Sequence, residues 1–190
     1  KKVKLAIIYY SATGLNFKLA KWAAAAAANE NAEIRLVRIP ETAPAQAINS
    51  NPDWRANLDD MTEIPEATSD DLAWADAILF SVPTRFGVMA AQAKQFLDQQ
   101  GSLWGQGKLA DKFVSAMSSA QNPHGGQEGG EPLCLAEPPH DPGAPDVVGV
   151  EVDTRGKGES VQRLEAPVPG GHPGSPVVEG AGGAPGPAGG

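Results

Sequence analysis

Two nearly continuous apolar runs, residues 3–10 (VKLAIIYY) and 77–82 (AILFSV), most restrict what this chain can fold into. Such runs are typical of parallel strands that are buried on both faces. The other predicted elements are two strands, 33–39 and 112–117, and three helices, 16–29, 68–74 and 90–100. This alternation of strands and helices predicts an α/β fold, an open parallel sheet with helices on both faces.

Charge and composition restrict the possible partners. The chain has 190 residues and a formal net charge of −8, and its basic residues are scattered. Nucleic acid is therefore not expected as a partner, because phosphate contacts require clustered Lys and Arg. No apolar stretch approaches the roughly 18 residues of a membrane span. The single cysteine, Cys134, excludes an internal disulfide and has no metal-ligand spacing around it, so we expect a cytoplasmic protein without a metal site.

Three segments that follow predicted strands contain residues suited to ligand binding, which in such sheets occurs at the carboxyl ends of the strands. Segment 11–16 combines hydroxyls, a glycine and a helix N-terminus without a following Lys, which favours a monophosphate over the nucleotide of a P-loop. Segment 83–87 (PTRFG) offers an Arg and a Phe to a flat ring. Segment 118–125 is rich in small and amide residues. Taken singly, each segment is also compatible with an ordinary loop.

Together these segments resemble a known family. The motifs that carry the resemblance are YYS with Gly14 at residues 9–14, RIPET at 38–42, PTRFG at 83–87, FLDQ at 96–99, GSLW at 101–104 and GGQE at 125–128. In this order and spacing they resemble the WrbA family of flavodoxin-like NAD(P)H:quinone oxidoreductases, which use FMN. The resemblance covers residues 1–128 and implies a flavodoxin-like fold.

The resemblance implies an FMN site made of the three segments. The phosphate would bind at Ser11, Ala12, Thr13, Gly14, Leu15 and Asn16. The isoalloxazine ring would contact Pro83, Thr84, Arg85, Phe86 and Gly87. The third flavin loop would comprise Ser118, Ser119, Ala120, Gln121, Asn122 and Gly125. Trp104 would line the substrate pocket, across a subunit interface of a homotetramer; the alternative is a buried Trp near a helix end. Trp22, Trp54 and Trp74 are interpreted as packing residues.

The activity that the resemblance implies is two-electron reduction of quinones through bound FMN, with NADH or NADPH as the electron donor. The cofactor would carry the difficult chemistry, so no catalytic side chain is assigned. One alternative is a flavodoxin-like one-electron carrier that binds FMN without a substrate pocket. The other is an inactive, truncated member of the family.

Residues 129–190 differ sharply from the first 128. All eleven aromatic residues lie between Tyr9 and Phe113, whereas 129–190 contains fifteen Gly and eleven Pro. This composition predicts a disordered tail behind an incomplete FMN-binding domain, with the last strand and helices of the fold missing or replaced. A reading-frame shift, fusion to a disordered segment, or a fifth strand at 147–152 would each explain the change. Without a fifth strand, the edge at 113–117 would be open.

Overall fold

The computed structural model describes residues 1–121, 148–153 and 160–164. Its strands are β1 (Lys4–Tyr9), β2 (Glu33–Arg38), β3 (Ala77–Arg85), β4 (Val88–Met89), β5 (Phe113–Ala120), β6 (Val148–Asp153) and β7 (Ser160–Leu164). Its helices are α1 (Leu15–Asn29), α2 (Ala45–Asn49), α3 (Pro52–Asp60), α4 (Ser69–Trp74), α5 (Ala91–Asp98) and α6 (Gly101–Gly105). None of these helices is long and apolar enough to cross a membrane.

One sheet organises the fold. Its strand order is β2-β1-β3-β5-β6-β7, and the short β4 pairs with β3. The pairs from β2 through β6 are all parallel, whereas β7 is antiparallel to β6 and β4 to β3. The parallel strands thus follow the 2-1-3-4-5 order of flavodoxin-like folds. The predicted open parallel sheet is confirmed.

Helices cover both faces of this sheet because the side chains of each strand alternate between two cores. Ile7 and Tyr9 of β1 lie in one buried cluster with Ala20 of α1. Ala6 and Ile8 lie in another cluster, with buried residues of α4, α5 and α6. All four of these β1 side chains are fully buried, which explains the continuous apolar run at residues 3–10.

Side-chain caps mark the start of two helices. A capping box precedes α4, in which the Asp71 carboxylate accepts hydrogen bonds from the backbone N–H of Thr68 at 2.9 Å and from its hydroxyl at 2.8 Å. Asn51 caps α3 by accepting from the backbone N–H groups of Asp53 and Trp54. Between residues 90 and 100, however, the predicted helix ends at Asp98, and α6 begins at Gly101.

The two central strands are longer than predicted. β3 continues beyond Val82 to Arg85, and β5 continues beyond Met117 to Ala120. The cause is pairing between them: Val82 lies opposite Ser118, and Pro83 opposite Ser119. Cross-strand pairing of this kind is not visible in the local sequence. The residues assigned to the second and third ligand segments therefore begin inside strands.

Two segments of the tail, β6 and β7, form strands in the structure. β6 pairs in parallel with β5, from Ser115 opposite Val148 to Ala120 opposite Asp153. It pairs at the strand edge that would be open without a fifth strand. This pairing corresponds to the alternative in which residues 147–152 form that fifth strand. β7 lies next to β6. The remaining predictions for 129–190 fall outside the described residues.

Candidate functional site

The three predicted ligand segments meet at one edge of the sheet. β1, β3 and β5 are parallel neighbours, so their carboxyl ends lie side by side. Direct hydrogen bonds join the segments: the Ser119 hydroxyl donates to Asn16 Oδ1 at 2.7 Å, and the Thr84 hydroxyl approaches the Ser119 carbonyl at 3.4 Å. The order in which successive strands are added to the sheet reverses between β1 and β3, the point where such folds bind ligands.

The loop after β1 presents several unpaired backbone donors. Gly14 adopts φ 98°, and its N–H donates to the Ser11 hydroxyl at 3.1 Å. The first bond of α1 runs from Lys18 N to Gly14 O at 2.9 Å. Within the described part of the chain, no acceptor pairs with the backbone N–H groups of Ala12, Thr13, Leu15, Asn16 and Phe17. Such a set of N–H groups at a helix N-terminus favours an anion.

Two lysines lie near this loop, where the sequence pattern predicts no cation. A cleft of about 370 Å³ lies along the loop, and Lys18 and Lys21 line it together with Thr13 and Gly14. Both lysines lie in the first two turns of α1, about one helical turn apart. They do not directly follow Gly14, so the P-loop pattern does not include them. Asp60 lines the same cleft, so the two lysines leave its charged side chains with a net positive charge near these N–H groups.

Asn57 of α3 holds the loop through two of its backbone carbonyls. It is 7% exposed, and its Nδ2 donates to the carbonyls of Ser11 at 2.8 Å and Ala12 at 3.1 Å. In a trans peptide the N–H points opposite to the carbonyl, so the N–H groups of Ala12 and Thr13 point away from Asn57. A Cβ at position 14 would lie 3.3 Å from Asn57 Oδ1, which leaves little room beside the loop for anything but glycine. No sequence signal identifies Asn57, because the contact spans 46 residues.

Asn16 and the two serines of β5 bind other protein groups through their side chains. Asn16 is 2% exposed, donates to the Ser81 hydroxyl at 3.2 Å and accepts from Ser119. The Ser118 hydroxyl donates to the Val82 carbonyl at 3.1 Å. These side chains fasten the loop to the sheet. Ala120 ends β5 and Gln121 is exposed, whereas Asn122 and Gly125 lie outside the described residues.

At the end of β3, Arg85 has no acidic partner within residues 1–121. Its guanidinium carbon lies 5.2 Å from the centre of the Trp54 ring and 5.9 Å from that of Tyr10. Residues 1–121 contain no hydrogen-bond acceptor or carboxylate bound to it. Phe86 follows at φ 53° with a fully exposed ring, and Gly87 at φ 84° completes the turn into β4. The donors of Arg85 are thus available to a ligand at this edge.

The tryptophans only partly match the expectations. Trp104 on α6 is 70% exposed, so the alternative of a buried Trp is wrong; its neighbour Leu103 enters the core instead. Trp22 is 51% exposed, so its interpretation as a packing residue is also wrong. Trp54 and Trp74 do pack against the core. Among the described residues, no cluster of His, Cys, Asp and Glu could hold a metal ion.

Comparisons with known proteins agree with this arrangement. A family model described as NADPH-dependent FMN reductase matches residues 3–133. An NAD(P)H dehydrogenase (quinone) from Deinococcus radiodurans is 52% identical over 126 residues, covering 66% of this chain and 63% of that protein. One from Archaeoglobus fulgidus is 39% identical over 125 residues, covering 66% of this chain and 65% of that protein. The chain therefore spans less than two thirds of the length of these relatives.

Among solved structures, the crystal structure of the flavodoxin, WrbA-like protein from Agrobacterium tumefaciens is similar to this chain. The TM-score is 0.49 and the sequence identity 24%, and the match covers 71% of this chain and 72% of that one.

The role of Asn57 as a donor can be tested by an isosteric change. Asn57→Asp replaces the Nδ2 donor by an oxygen that faces two carbonyls, so we expect the free energy of unfolding to fall by about 3 kcal/mol. Asn51→Asp is the matched control, because the Asn51 side chain acts as an acceptor at the start of α3 and Asp accepts equally well. The control should change stability by less than about 0.5 kcal/mol. Urea unfolding measures both, and equal losses would contradict the assignment.

Proposed function

Since the chain belongs to the NADPH-dependent FMN reductase family, we propose that it binds FMN and reduces quinones with NADH or NADPH as the electron donor. The observation that carries this proposal is the set of N–H groups after β1 that have no acceptor among the described residues, at the edge where β1 and β3 meet. The names of the relatives, NAD(P)H dehydrogenase (quinone), support the choice of donor and acceptor. The chemistry that FMN supplies when bound is two-electron transfer from NAD(P)H to a quinone.

The residues at this edge suit FMN in charge and in their position on adjacent strands. The N–H groups of the 11–17 loop, the Thr13 hydroxyl and the nearby Lys18 and Lys21 suit a dianionic phosphate. Arg85, which has no acidic partner in residues 1–121, suits the carbonyl-rich edge of the isoalloxazine ring. The phosphate and ring groups follow β1 and β3, which are adjacent in the sheet, so one ligand can reach both.

The chain's own residues act by binding and positioning. The phosphate is held by Ser11, Ala12, Thr13, Gly14, Leu15 and Asn16. The isoalloxazine ring contacts Pro83, Thr84, Arg85, Phe86 and Gly87. The third flavin segment consists of Ser118, Ser119, Ala120, Gln121, Asn122 and Gly125. For Ser118 and Ser119 we assign the contact to the backbone, since their hydroxyls bind Val82 and Asn16.

We extend the proposal to the assembly and its location. Trp104 lines the quinone pocket across a subunit interface of a homotetramer; its 70% exposure leaves the indole available to a neighbouring subunit. The location is the cytoplasm, which the single cysteine favours. Residues 1–128 form an incomplete FMN-binding domain, a boundary that the family match ending at residue 133 supports, and the tail adds β6 and β7 to the same sheet.

The phosphate site predicts discrimination between FMN and riboflavin, which lacks the phosphate. We expect saturable quenching of FMN fluorescence on titration with the protein. Riboflavin should bind at least about 100-fold more weakly, because two or more charge-assisted hydrogen bonds at roughly 1.5–3 kcal/mol each are lost. Equal affinity for the two flavins would show that the 11–17 loop does not bind the phosphate.

Quinone reduction distinguishes the enzyme from a one-electron carrier. With FMN bound, steady-state oxidation of NADH or NADPH should be fast with benzoquinone and slow without it. Because the two electrons are transferred together, no semiquinone should accumulate, and electron paramagnetic resonance during turnover checks this. FMN binding without NAD(P)H oxidation would identify a carrier. Failure to bind FMN would identify an inactive family member.

A further inference from the structure

Glu41, which lies in the RIPET motif after β2, is the acceptor for five hydrogen bonds. Its Oε2 accepts from the Tyr10 hydroxyl and from Trp54 Nε1, each at 2.9 Å. Its Oε1 accepts from Gln92 Nε2 at 2.8 Å. The same oxygen accepts from the backbone N–H groups of Thr42 at 2.9 Å and Ala43 at 2.8 Å. One carboxylate therefore joins the end of β1, α3, α5 and its own loop.

All five donors to Glu41 are neutral. Burial alone would raise the pKa of Glu41, but the hydrogen bonds from Ala43, Gln92, Tyr10 and Trp54 outweigh it and hold this pKa below its usual range. The carboxylate is thus ionised at neutral pH. No Lys or Arg of residues 1–121 forms an ion pair with it. A partly buried charge that has no ion-pair partner in residues 1–121 is costly to bury, and the five hydrogen bonds offset that cost.

The Arg85 guanidinium lies against the same two aromatic side chains that donate to Glu41. Tyr10 and Trp54 donate to Oε2 of Glu41, and their rings hold the Arg85 guanidinium at 5.9 and 5.2 Å. An O–H or N–H that donates to a carboxylate makes its ring more electron-rich, which strengthens attraction of a cation to the ring. Burial and the Glu41 carboxylate both raise the pKa of Tyr10, so its ring keeps the proton that this contact needs.

We propose that Glu41 is a positioning residue for Arg85: it fixes the rings of Tyr10 and Trp54, which set where the guanidinium meets the flavin ring. This inference rests on the proposed FMN site. Arg85 has no acidic partner of its own in residues 1–121, so these rings are what confines its head group. Confinement by rings rather than by a carboxylate leaves the N–H donors of Arg85 free for the ligand.

The Glu41→Gln variant isolates this role. The backbone donors of Thr42 and Ala43 keep an oxygen at the Oε1 position, so the new amide nitrogen faces Tyr10 and Trp54. A tyrosine hydroxyl can turn and accept, but an indole N–H can only donate. The Trp54 ring must therefore shift, and the position of Arg85 shifts with it.

The test is a double-mutant cycle on FMN affinity, measured by fluorescence quenching. We expect Glu41→Gln to weaken FMN binding about tenfold when Arg85 is present. In the Arg85→Ala background the same change should cost less than about twofold, because the residue through which it acts is gone. Glu66→Gln is the matched control: it removes the same charge from an exposed Glu that pairs with Arg38, and it should leave FMN affinity unchanged.

A structural role alone predicts a different result. If Glu41 only stabilised the fold, its substitution would weaken FMN binding equally in both backgrounds, and that outcome overturns the proposal. An Arg85→Ala variant with unchanged affinity overturns it too, since Arg85 would then not contact the flavin. In either case normal binding of FMN by the wild-type chain keeps the proposed function intact. Failure of the wild-type chain to bind FMN would overturn both.

A second variant carries the test if Glu41→Gln does not fold. Tyr10→Phe keeps the ring beside Arg85 but removes its hydrogen bond to Glu41. We expect FMN binding to weaken about threefold with Arg85 present, and to remain unchanged in the Arg85→Ala background. Equal losses in both backgrounds, or no loss in either, would contradict the proposal.

Discussion

Parallel pairing of β1 with β3, and of β3 with β5, is the constraint on which the rest of the structure depends. Because neighbouring strands run in the same direction, their carboxyl ends lie at one edge, and the loops that follow them converge there. Three segments that are distant in the sequence thereby form one site. The same pairing buries both faces of β1 and β3, so the position of the site is fixed by the core rather than by flexible loops.

A set of buried polar side chains sets the geometry at this edge. Asn57 holds the carbonyls of the first loop, and Asn16 links the start of α1 to both β3 and β5. Each of these amides would be costly to bury without partners. Because their partners belong to different elements, the loop has one favoured arrangement before any ligand arrives. Such preorganisation lowers the ordering cost of binding.

Local features of the sequence predicted much of the fold. The apolar run at residues 3–10 indicated a strand buried on both faces, and the Thr68 to Asp71 capping box indicated the start of α4. What remained hidden depends on contacts between distant residues. The five donors to Glu41 come from four elements, and the extension of β3 and β5 follows from their mutual register. Asn57 resembles any helical asparagine until the fold brings it to Ser11.

Hydrogen exchange at the start of α1 tests the central claim most directly. In NMR spectra recorded with and without saturating FMN, the amides of Ala12, Thr13, Leu15 and Asn16 should exchange at least about tenfold more slowly with FMN bound, because each then has a phosphate acceptor. Amides on the far side of the sheet, such as Glu33, should not change. Bound FMN with unchanged exchange at the α1 start would contradict the account, since the phosphate would then lie elsewhere.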